Sequence, residues 1–314
     1  MRAMVFTGPG VVEMLEVPDP VPGPDELLLN VALVGICGSE LHGIVQPGFR
    51  QPPLIMGHEF AATTSDGRRV TVNPIVHCGS CDRCRAGADN LCRGREILGV
   101  HRPGAFAEHV AVPAALVHEL PPGLSMESAA MVEPLANAVH AWRVAGSPPD
   151  SQIGIIGAGP IGLASLLVAR VEGAKSITVA DLSPDRQRMA RKLGADKVAD
   201  ALDGEYDVVI DAVGLRATRR ASVEHLRSGG VSVWLGLIEP DPGFDALSLV
   251  RAEKTVRGSF AYTDPEFSAA IELAEEVDLE WAEVFPLEQG ASVFTELMHG
   301  RSDVVKALLR PGHA

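Results

Sequence analysis

Residues 153–162 read IGIIGAGPIG, and a mostly apolar stretch of helical length, 163–171, follows them. A short apolar run, then G-x-G-x-x-G, then such a stretch is the setting in which this motif indicates a dinucleotide-binding fingerprint. Gly157 allows the tight turn, Gly159 lets the backbone approach a pyrophosphate, and Gly162 lets helix and strand pack closely. We therefore predict a strand, a turn and a helix whose N-terminus faces phosphates.

A second apolar run, 177–180, ends at Asp181. This position is close to the roughly 20-residue offset at which an acid receives the ribose hydroxyls of NAD. An acid there repels a 2′-phosphate, so the sequence favours NAD over NADP, although Arg186 in the following turn argues the other way. A later strand at 231–237 is expected to place Gly236 near the nicotinamide, since ligands lie at the carboxyl ends of such strands. The candidate cofactor-binding residues are Gly157, Gly159, Pro160, Ile161, Gly162, Asp181, Arg186 and Gly236.

Four of the five cysteines stand in a C-x-x-C-x-x-C-x7-C pattern, at Cys78, Cys81, Cys84 and Cys92. One short loop with this spacing can direct four thiolates to a tetrahedral Zn²⁺. Two disulfides are the alternative, but thiols three residues apart favour a shared metal, and nothing else marks a secreted disulfide scaffold. We predict a structural zinc site.

The fifth cysteine, Cys37, and the Gly-His-Glu run at 57–59 predict a second metal site. Cys37 and His58 offer one soft and one imidazole ligand, and a catalytic zinc keeps one position open for water or substrate. Two carboxylates compete for the remaining coordination, Glu59 and Glu133. Either could bind directly while the other holds the metal-bound water.

The order of the apolar patterns predicts an α/β protein with two kinds of domain. Residues 1 to about 120 contain short strand-like runs separated by Pro and Gly clusters, for example 26–34 and 107–112. From residue 126 the pattern is helical to 142, and then strands and helices alternate, which predicts a parallel sheet. After about residue 259 we expect two helical segments, at 265–276 and 302–309.

These motifs, taken in order with the stretch GICGSELH at 35–42 and the Glu-Pro-Leu at 133–135, resemble the zinc-dependent medium-chain dehydrogenases and reductases of the alcohol dehydrogenase superfamily. The polyol (sorbitol) dehydrogenase-like branch is the most similar, and the resemblance covers nearly the whole chain. It implies a GroES-like, β-rich catalytic domain at 1–134 and 260–314, split around a doubly wound Rossmann NAD-binding domain at 135–259. Zinc and nicotinamide are expected to meet in the cleft.

The resemblance also implies roles for individual side chains. Ser39 matches the hydroxyl that hydrogen-bonds the substrate oxygen, and His42 the distal base that passes the proton to solvent. Glu133 replaces the second catalytic cysteine of other branches, which points to the polyol-like branch. The implied catalytic residues are Cys37, Ser39, His42, His58, Glu59 and Glu133; Cys37, His58, Glu59 and Glu133 also hold the catalytic zinc.

Two features depart from the family pattern. Glu40 stands where an aspartate usually supports the zinc-binding histidine, so either the backbone compensates or the site is differently tuned. The segment after Glu59 is shorter than the expected two-strand excursion, which predicts a trimmed barrel. Arg50 is a candidate for contact with a charged substrate.

The expected activity is a reversible, zinc-dependent oxidation of a secondary alcohol to a ketone, with hydride transfer to NAD and the substrate a polyol, sugar or aminocyclitol. A dehydrogenase of threonine-type 2-amino-3-hydroxy acids is the first alternative. A non-catalytic NAD-responsive binding protein on the same scaffold is the second. A zinc-free quinone or enoyl reductase would lack Cys37, His58 and the four-cysteine set.

Composition limits the partners. The 314 residues suffice for two domains, and the formal net charge of −14 argues against nucleic acid or an anionic membrane as a partner. No secretory signal or membrane-length apolar stretch is visible, and thiolate-rich metal ligation suits a reducing cytoplasm. We therefore expect a cytoplasmic enzyme with a small-molecule substrate, and the resemblance implies a homodimer or homotetramer.

Overall fold

The computed structural model describes residues 1–45, 50–146, 149–240, 243, 245–300 and 303–312. The chain forms two compact units. Unit 1 contains Met1–Glu133 and Thr263–Ala314, and unit 2 contains Pro134–Tyr262. The boundaries between the units lie at 133/134 and 262/263, one and three residues from the domain limits expected from the sequence.

The N-terminal segment of unit 1, Met1–Glu133, is mainly β-structure. Its strands are β1 (Arg2–Gly8), β2 (Val11–Glu16), β3 (Glu26–Gly35), β4 (Leu54–Ile55), β5 (Glu59–Thr64), β6 (Arg69–Val72), β7 (Ile75–Val76), β8 (Glu96–Ile97), β9 (His109–Pro113) and β10 (Val117–Glu119). Its helices are α1 (Gly38–Gly43), α2 (Asp82–Arg85) and α3 (Met126–Ala129), and helix α4 (Val132–Ala145) continues from unit 1 into unit 2.

Unit 2 alternates strands and helices, as its sequence predicts. The elements are β11 (Gln152–Ile156), α5 (Pro160–Val171), β12 (Ser176–Ala180), α6 (Pro184–Lys192), β13 (Lys197–Ala199), β14 (Tyr206–Asp211), α7 (Arg216–Glu224), β15 (Leu226–Trp234), α8 (Ala246–Arg251) and β16 (Thr255–Gly258). The strands form one parallel sheet in the order β13-β12-β11-β14-β15-β16. The order reverses between β11 and β14, so the expected doubly wound Rossmann fold is confirmed.

The chain then completes unit 1 with α9 (Asp264–Leu273), β17 (Glu283–Pro286), α10 (Gly290–Met298) and β18 (Ala307–Arg310). The main sheet of unit 1 has the order β10-β6-β5-β3-β18-β17, with β9 also paired to β3. Its core includes Met4, Leu29, Phe60, Phe106 and Phe294, all nearly inaccessible to solvent. This β-rich unit confirms the expected GroES-like half of the α/β fold.

The helix predicted at 302–309 is wrong. The described part of this segment contains strand β18, which pairs antiparallel with β3 and parallel with β17, while residues 301 and 302 lie outside the described residues. Ala307, Leu308 and Leu309 are all buried, because a strand between two neighbours packs side chains on both faces. The continuous apolar run was therefore a central strand, which periodicity alone does not distinguish from a buried helix.

Two smaller expectations change as well. Strand β15 ends at Trp234, so Gly236 lies in the loop after it. The short segment after Glu59 still contains both β5 and β6, which pair directly and are joined by a tight turn with Gly67 at φ +86°. The expected shortening therefore affects the connection, while the two strands are kept.

No helix in the described ranges has both the length and the apolar character that a bilayer crossing requires.

Candidate functional site

The four cysteines of the loop at 78–92 converge. Sulfur to sulfur distances are 3.5 Å for Cys78 and Cys92, 3.9 Å for Cys78 and Cys84, 3.6 Å for Cys81 and Cys84, and 4.0 Å for Cys81 and Cys92. A tetrahedral Zn²⁺ with Zn–S bonds of about 2.3 Å has edges of about 3.8 Å. A disulfide needs about 2.05 Å, and all five cysteines of the chain are free. The geometry fits a metal and excludes the two disulfides weighed from the sequence.

The electrostatics of this loop also favour a cation. Backbone amides of Ser80 and Cys81 lower the pKa of the Cys78 thiol to about 6. Desolvation and the adjacent thiols raise the pKa of the Cys84 thiol to about 12. Four thiolates thus share this space only when a positive charge balances them, as Zn²⁺ does.

The second cluster lies in unit 1, where α1 and β5 begin. Cys37 is the residue before α1, and His58 and Glu59 stand at the start of β5. Their ligand atoms lie within 4.8 Å of one another, and both His58 and Glu59 are buried. The donor set of one thiolate, one imidazole and one carboxylate suits Zn²⁺. The structure thus brings together three of the four side chains expected at this site.

Gly57 explains why the histidine can enter the cluster. It has φ +94°, and a Cβ at this position would lie 2.8 Å from the backbone nitrogen of Phe106 and 2.9 Å from Val34. Only glycine combines this backbone conformation with such close packing. The glycine therefore sets the path by which His58 reaches Cys37.

Glu40 takes the supporting position, despite its extra methylene. Its carboxylate is fully buried and accepts hydrogen bonds from the backbone amides of Cys37 (3.0 Å) and Gly57 (2.8 Å). Nδ1 of His58 lies 3.1 Å from Glu40 Oε1. A proton on Nδ1 donated to this carboxylate leaves Nε2 available to a metal. The backbone has therefore accommodated the longer acid.

Negative charge dominates the surroundings of His58. Burial alone lowers the pKa of His58, but the Glu40 carboxylate and the Cys37 thiol outweigh it and raise the pKa well above its usual value. Burial raises the pKa of the Glu40 carboxyl, but the His58 ring, together with Arg50 and the Cys37 amide, outweighs burial and lowers that pKa. A divalent cation at this cluster would neutralise the same acids.

Lys306 is a member of the site that the sequence analysis missed. Its ammonium is buried, donates to the backbone carbonyl of Ile36 (2.9 Å) and forms an ion pair with Glu59. Burial lowers the pKa of Lys306, but Glu59 and Cys37 outweigh that effect and raise it. The one available signal was a lysine inside the apolar run VVKALL. The carboxylate oxygen of Glu59 that pairs with Lys306 is Oε2.

Ser39 and His42 lie on α1, three residues apart. The Ser39 hydroxyl donates to Cys37 Sγ (3.3 Å), which places it beside the metal cluster. His42 is exposed to solvent. Side chains three residues apart on a helix are neighbours, and a proton path through these two stays a prediction.

Arg50 is buried. It donates to the backbone carbonyls of Ser39 (2.8 Å) and Gly99 (3.2 Å). These contacts fix the turn that carries Ser39, and contact of Arg50 with a charged substrate stays a prediction.

Glu133 lies outside the cluster that the described residues form. It occupies the first turn of α4 and is buried, but its carboxylate is not among the ligand atoms grouped with Cys37. Its role in coordination remains a prediction.

In unit 2, the glycine-rich loop has the geometry that its sequence predicts. Gly157 has φ +94°, Gly159 precedes α5, and Pro160 opens that helix. A Cβ on Gly162 would lie 1.7 Å from the carbonyl oxygen of Gly157, so only glycine allows the helix to start this close to the end of the strand. Ile161 completes the first turn of α5.

Asp181 lies just beyond β12 and holds this loop. Its carboxylate accepts from the backbone amides of Ala158 (2.7 Å) and Ser183 (2.8 Å). Ser183 caps α6 by accepting from the amide of Arg186. The Arg186 guanidinium is half-exposed and lies 3.9 Å from Asp181. The two candidate ribose-binding side chains, Asp181 and Arg186, therefore lie close together between the end of β12 and the first turn of α6.

Comparison with known proteins adds the family. Residues 23–122 match the alcohol dehydrogenase GroES-like domain, and residues 160–276 match the zinc-binding dehydrogenase domain. L-galactonate-5-dehydrogenase of Escherichia coli K12 is 31% identical over 92% of this chain and 93% of its own length. The chain belongs to the zinc-dependent medium-chain alcohol dehydrogenase family.

Two further matches describe the relatives of this dehydrogenase. L-threonine 3-dehydrogenase of Streptomyces avermitilis is 35% identical and covers 79% of this chain and 80% of its own. The crystal structure of a zinc-binding dehydrogenase from Sinorhizobium meliloti bound to NADP superposes with a TM-score of 0.92 at 30% identity, covering 99% of each chain. Both the polyol-type expectation and its threonine-type alternative thus have relatives among known dehydrogenases.

Proposed function

We propose that this dehydrogenase reversibly oxidises a secondary alcohol of a polyol, sugar or aminocyclitol to the ketone, with hydride transfer to NAD. One observation carries the proposal: a thiol, an imidazole and a carboxylate converge within 4.8 Å in a chain that also has a dinucleotide-binding loop. A zinc ion at the cluster would supply a Lewis acid for the substrate oxygen, and bound NAD would supply the hydride acceptor.

Cys37, His58 and Glu59 would hold this metal, and Glu133 would assist from outside the group. The inclusion of Glu59 in the cluster and its ion pair with Lys306 support this choice. The buried ammonium balances the charge of the Glu59 carboxylate. Glu40 keeps the His58 ring oriented.

The chain's own residues would move the proton. Ser39 rotates from Cys37 Sγ to the substrate hydroxyl, accepts the substrate's proton and at the same time gives up its own hydroxyl proton toward His42. His42, next along α1 and exposed, passes that proton to water. Arg50 fixes the backbone carbonyl of Ser39 and so limits where the hydroxyl can point.

We propose NAD as the preferred cofactor. The Asp181 carboxylate supports this preference because it would repel a 2′-phosphate. Arg186, which is within 3.9 Å of that carboxylate, is satisfied in part by Asp181 itself. The similar structure from Sinorhizobium meliloti is bound to NADP, so a preference for NADP is the result that would contradict this proposal.

Oxidation of threonine-type 2-amino-3-hydroxy acids is the second candidate. The threonine dehydrogenase relatives, 33–35% identical to this chain, support it. Both substrate classes carry the secondary alcohol that the same site would oxidise.

The deciding experiment measures NADH release with a panel of L-galactonate, galactitol, an aminocyclitol, L-threonine and 2-propanol. We expect the highest kcat/KM among the polyol-type substrates. The highest value with L-threonine would replace the first proposal by the second, and no turnover by zinc-loaded protein with any of them would refute both.

We also propose a homodimer or homotetramer in a reducing cytoplasm. Five free thiols support the compartment. Light scattering measures the assembly, and a monomer at micromolar concentration would refute it.

A further inference from the structure

Asp211 occupies the switch point of the unit 2 sheet. It is the last residue of β14, in register with Ile156 at the end of β11 on one side and with Trp234 at the end of β15 on the other. The strand order reverses between β11 and β14. Ligands of such sheets bind at the carboxyl ends of the strands where this reversal occurs.

The Asp211 carboxylate is fully buried and organises the loop that follows it. It accepts from the backbone amides of Val213 and Gly214, both at 3.0 Å, and from the Thr218 hydroxyl at 3.2 Å. Burial raises the pKa of Asp211, and these donors oppose that rise. A buried acid with this many donors fixes the turn at 212–214.

The main chain of Asp211 holds a second loop. Its carbonyl oxygen accepts from the amides of Leu235 (3.0 Å) and Gly236 (3.1 Å), just after β15. One residue therefore joins two loops at the same edge of the sheet.

The two loops cross where both have glycine. A Cβ on Gly214 would lie 2.1 Å from the carbonyl carbon of Gly236, and a Cβ on Gly236 would lie 2.1 Å from the nitrogen of Gly214. A Cβ on Gly157 would likewise lie 2.5 Å from Val213. The loops after β11, β14 and β15 thus form one closely packed layer.

Arg219 holds this layer from helix α7. Its side chain is buried, donates to the carbonyl of Gly236 (3.1 Å), also binds the carbonyl of Glu239, and lies over the Trp234 ring. The guanidinium therefore connects the loop after β15 to the helix that follows β14.

We propose that Asp211 and Arg219 are positioning residues that join the loops at 212–214 and 235–239 into one rigid surface for the nicotinamide half of the cofactor. This inference rests on the proposed NAD-dependent function. Neither side chain reaches the cofactor in this proposal; they act through the backbone of Gly214 and Gly236. The adenosine half, by contrast, depends on Gly157–Gly162 and Asp181.

The test compares two ligands that share the adenosine diphosphate ribose part. Affinity for NADH is measured by fluorescence and affinity for ADP-ribose, which lacks nicotinamide, by calorimetry. In Asp211→Ala we expect NADH to bind at least about tenfold more weakly. A tenfold change in affinity equals about the net free energy of one hydrogen bond. ADP-ribose affinity should change by less than about twofold. Asp211→Asn should recover part of the loss.

A matched control exists on the same strand. Asp207, at the other end of β14, also accepts from a backbone amide, that of Gln152 at 2.7 Å. Asp207→Ala should leave the ratio of the two affinities unchanged even if it lowers the thermal stability. Arg219→Met provides a second variant if Asp211→Ala does not fold.

The outcomes separate clearly. Selective loss of NADH affinity in Asp211→Ala or Arg219→Met supports the proposal. Equal weakening of both ligands, or no weakening, overturns it. Failure of the wild-type protein to bind either ligand would instead refute the proposed function and, with it, this inference.

Discussion

Lys306→Met tests the buried ion pair beside the metal cluster. The substitution keeps the volume of the side chain but removes the ammonium, so Glu59 becomes a buried carboxylate without its cation, and the Ile36 carbonyl loses its donor. Breaking a buried pair on one side costs about 3–5 kcal/mol. A domain of this size loses roughly 2–4 °C of Tm per kcal/mol, so we expect unit 1 to unfold about 6–20 °C lower.

Thermal unfolding followed by circular dichroism measures this change, with the metal-loaded and the metal-depleted protein in parallel. Because zinc binds only the folded cluster and supplies the missing positive charge, added zinc should raise the Tm of Lys306→Met more than that of wild type. The double variant with Glu59→Gln removes both charges, and it should recover much of the loss in the metal-depleted protein.

The matched control is Lys197→Met, which breaks an exposed pair with Asp203. Exposed pairs contribute about 0–1 kcal/mol, so its Tm should stay close to that of wild type. A Lys306→Met protein as stable as Lys197→Met, or a double variant no more stable than Lys306→Met, would refute the reasoning.

The other predictions concern the catalytic residues and the cofactor. Cys37→Ala should abolish turnover while NADH affinity, measured by fluorescence, stays within about twofold, because unit 2 is unchanged. Glu40→Gln should weaken zinc binding by about 10–100-fold, as is usual for residues that orient a metal-binding histidine, and a competition titration with a chelator measures it. Arg50→Met should lower kcat with little change in KM for NAD; an unchanged kcat would show that its contact with the Ser39 turn is unimportant. Asp181→Ala should reduce the ratio of kcat/KM for NAD over NADP at least about tenfold, and an unchanged ratio would contradict its assigned role.

Short-range motifs predicted which cysteines come together. The four cysteines lie within one loop, so their spacing alone limits the geometry, and the structure brings their sulfur atoms to within 4.0 Å along the four measured edges. The turn geometry of the glycine fingerprint was predictable for the same reason, since Gly157 and Gly162 lie within one turn of chain.

Long-range contacts were not predictable from one sequence. Lys306 meets Glu59 only because β18 returns beside β3, which carries Gly35 opposite Glu59. The helix expected at 302–309 was wrong for the same reason: β18 is buried on both faces, and such a strand has no alternating apolar pattern. Asp211 had a visible signal, an acid ending the apolar strand YDVVID, but its partners come from two later loops.

Zinc content measured together with turnover tests the central claim most directly. Purified protein, dialysed without chelator, is analysed by plasma mass spectrometry, and the same sample is assayed for alcohol-dependent NADH release. We expect two zinc ions per chain in active wild-type enzyme and one in an inactive Cys37→Ala variant. Full activity in protein that holds one zinc ion or none would contradict the account.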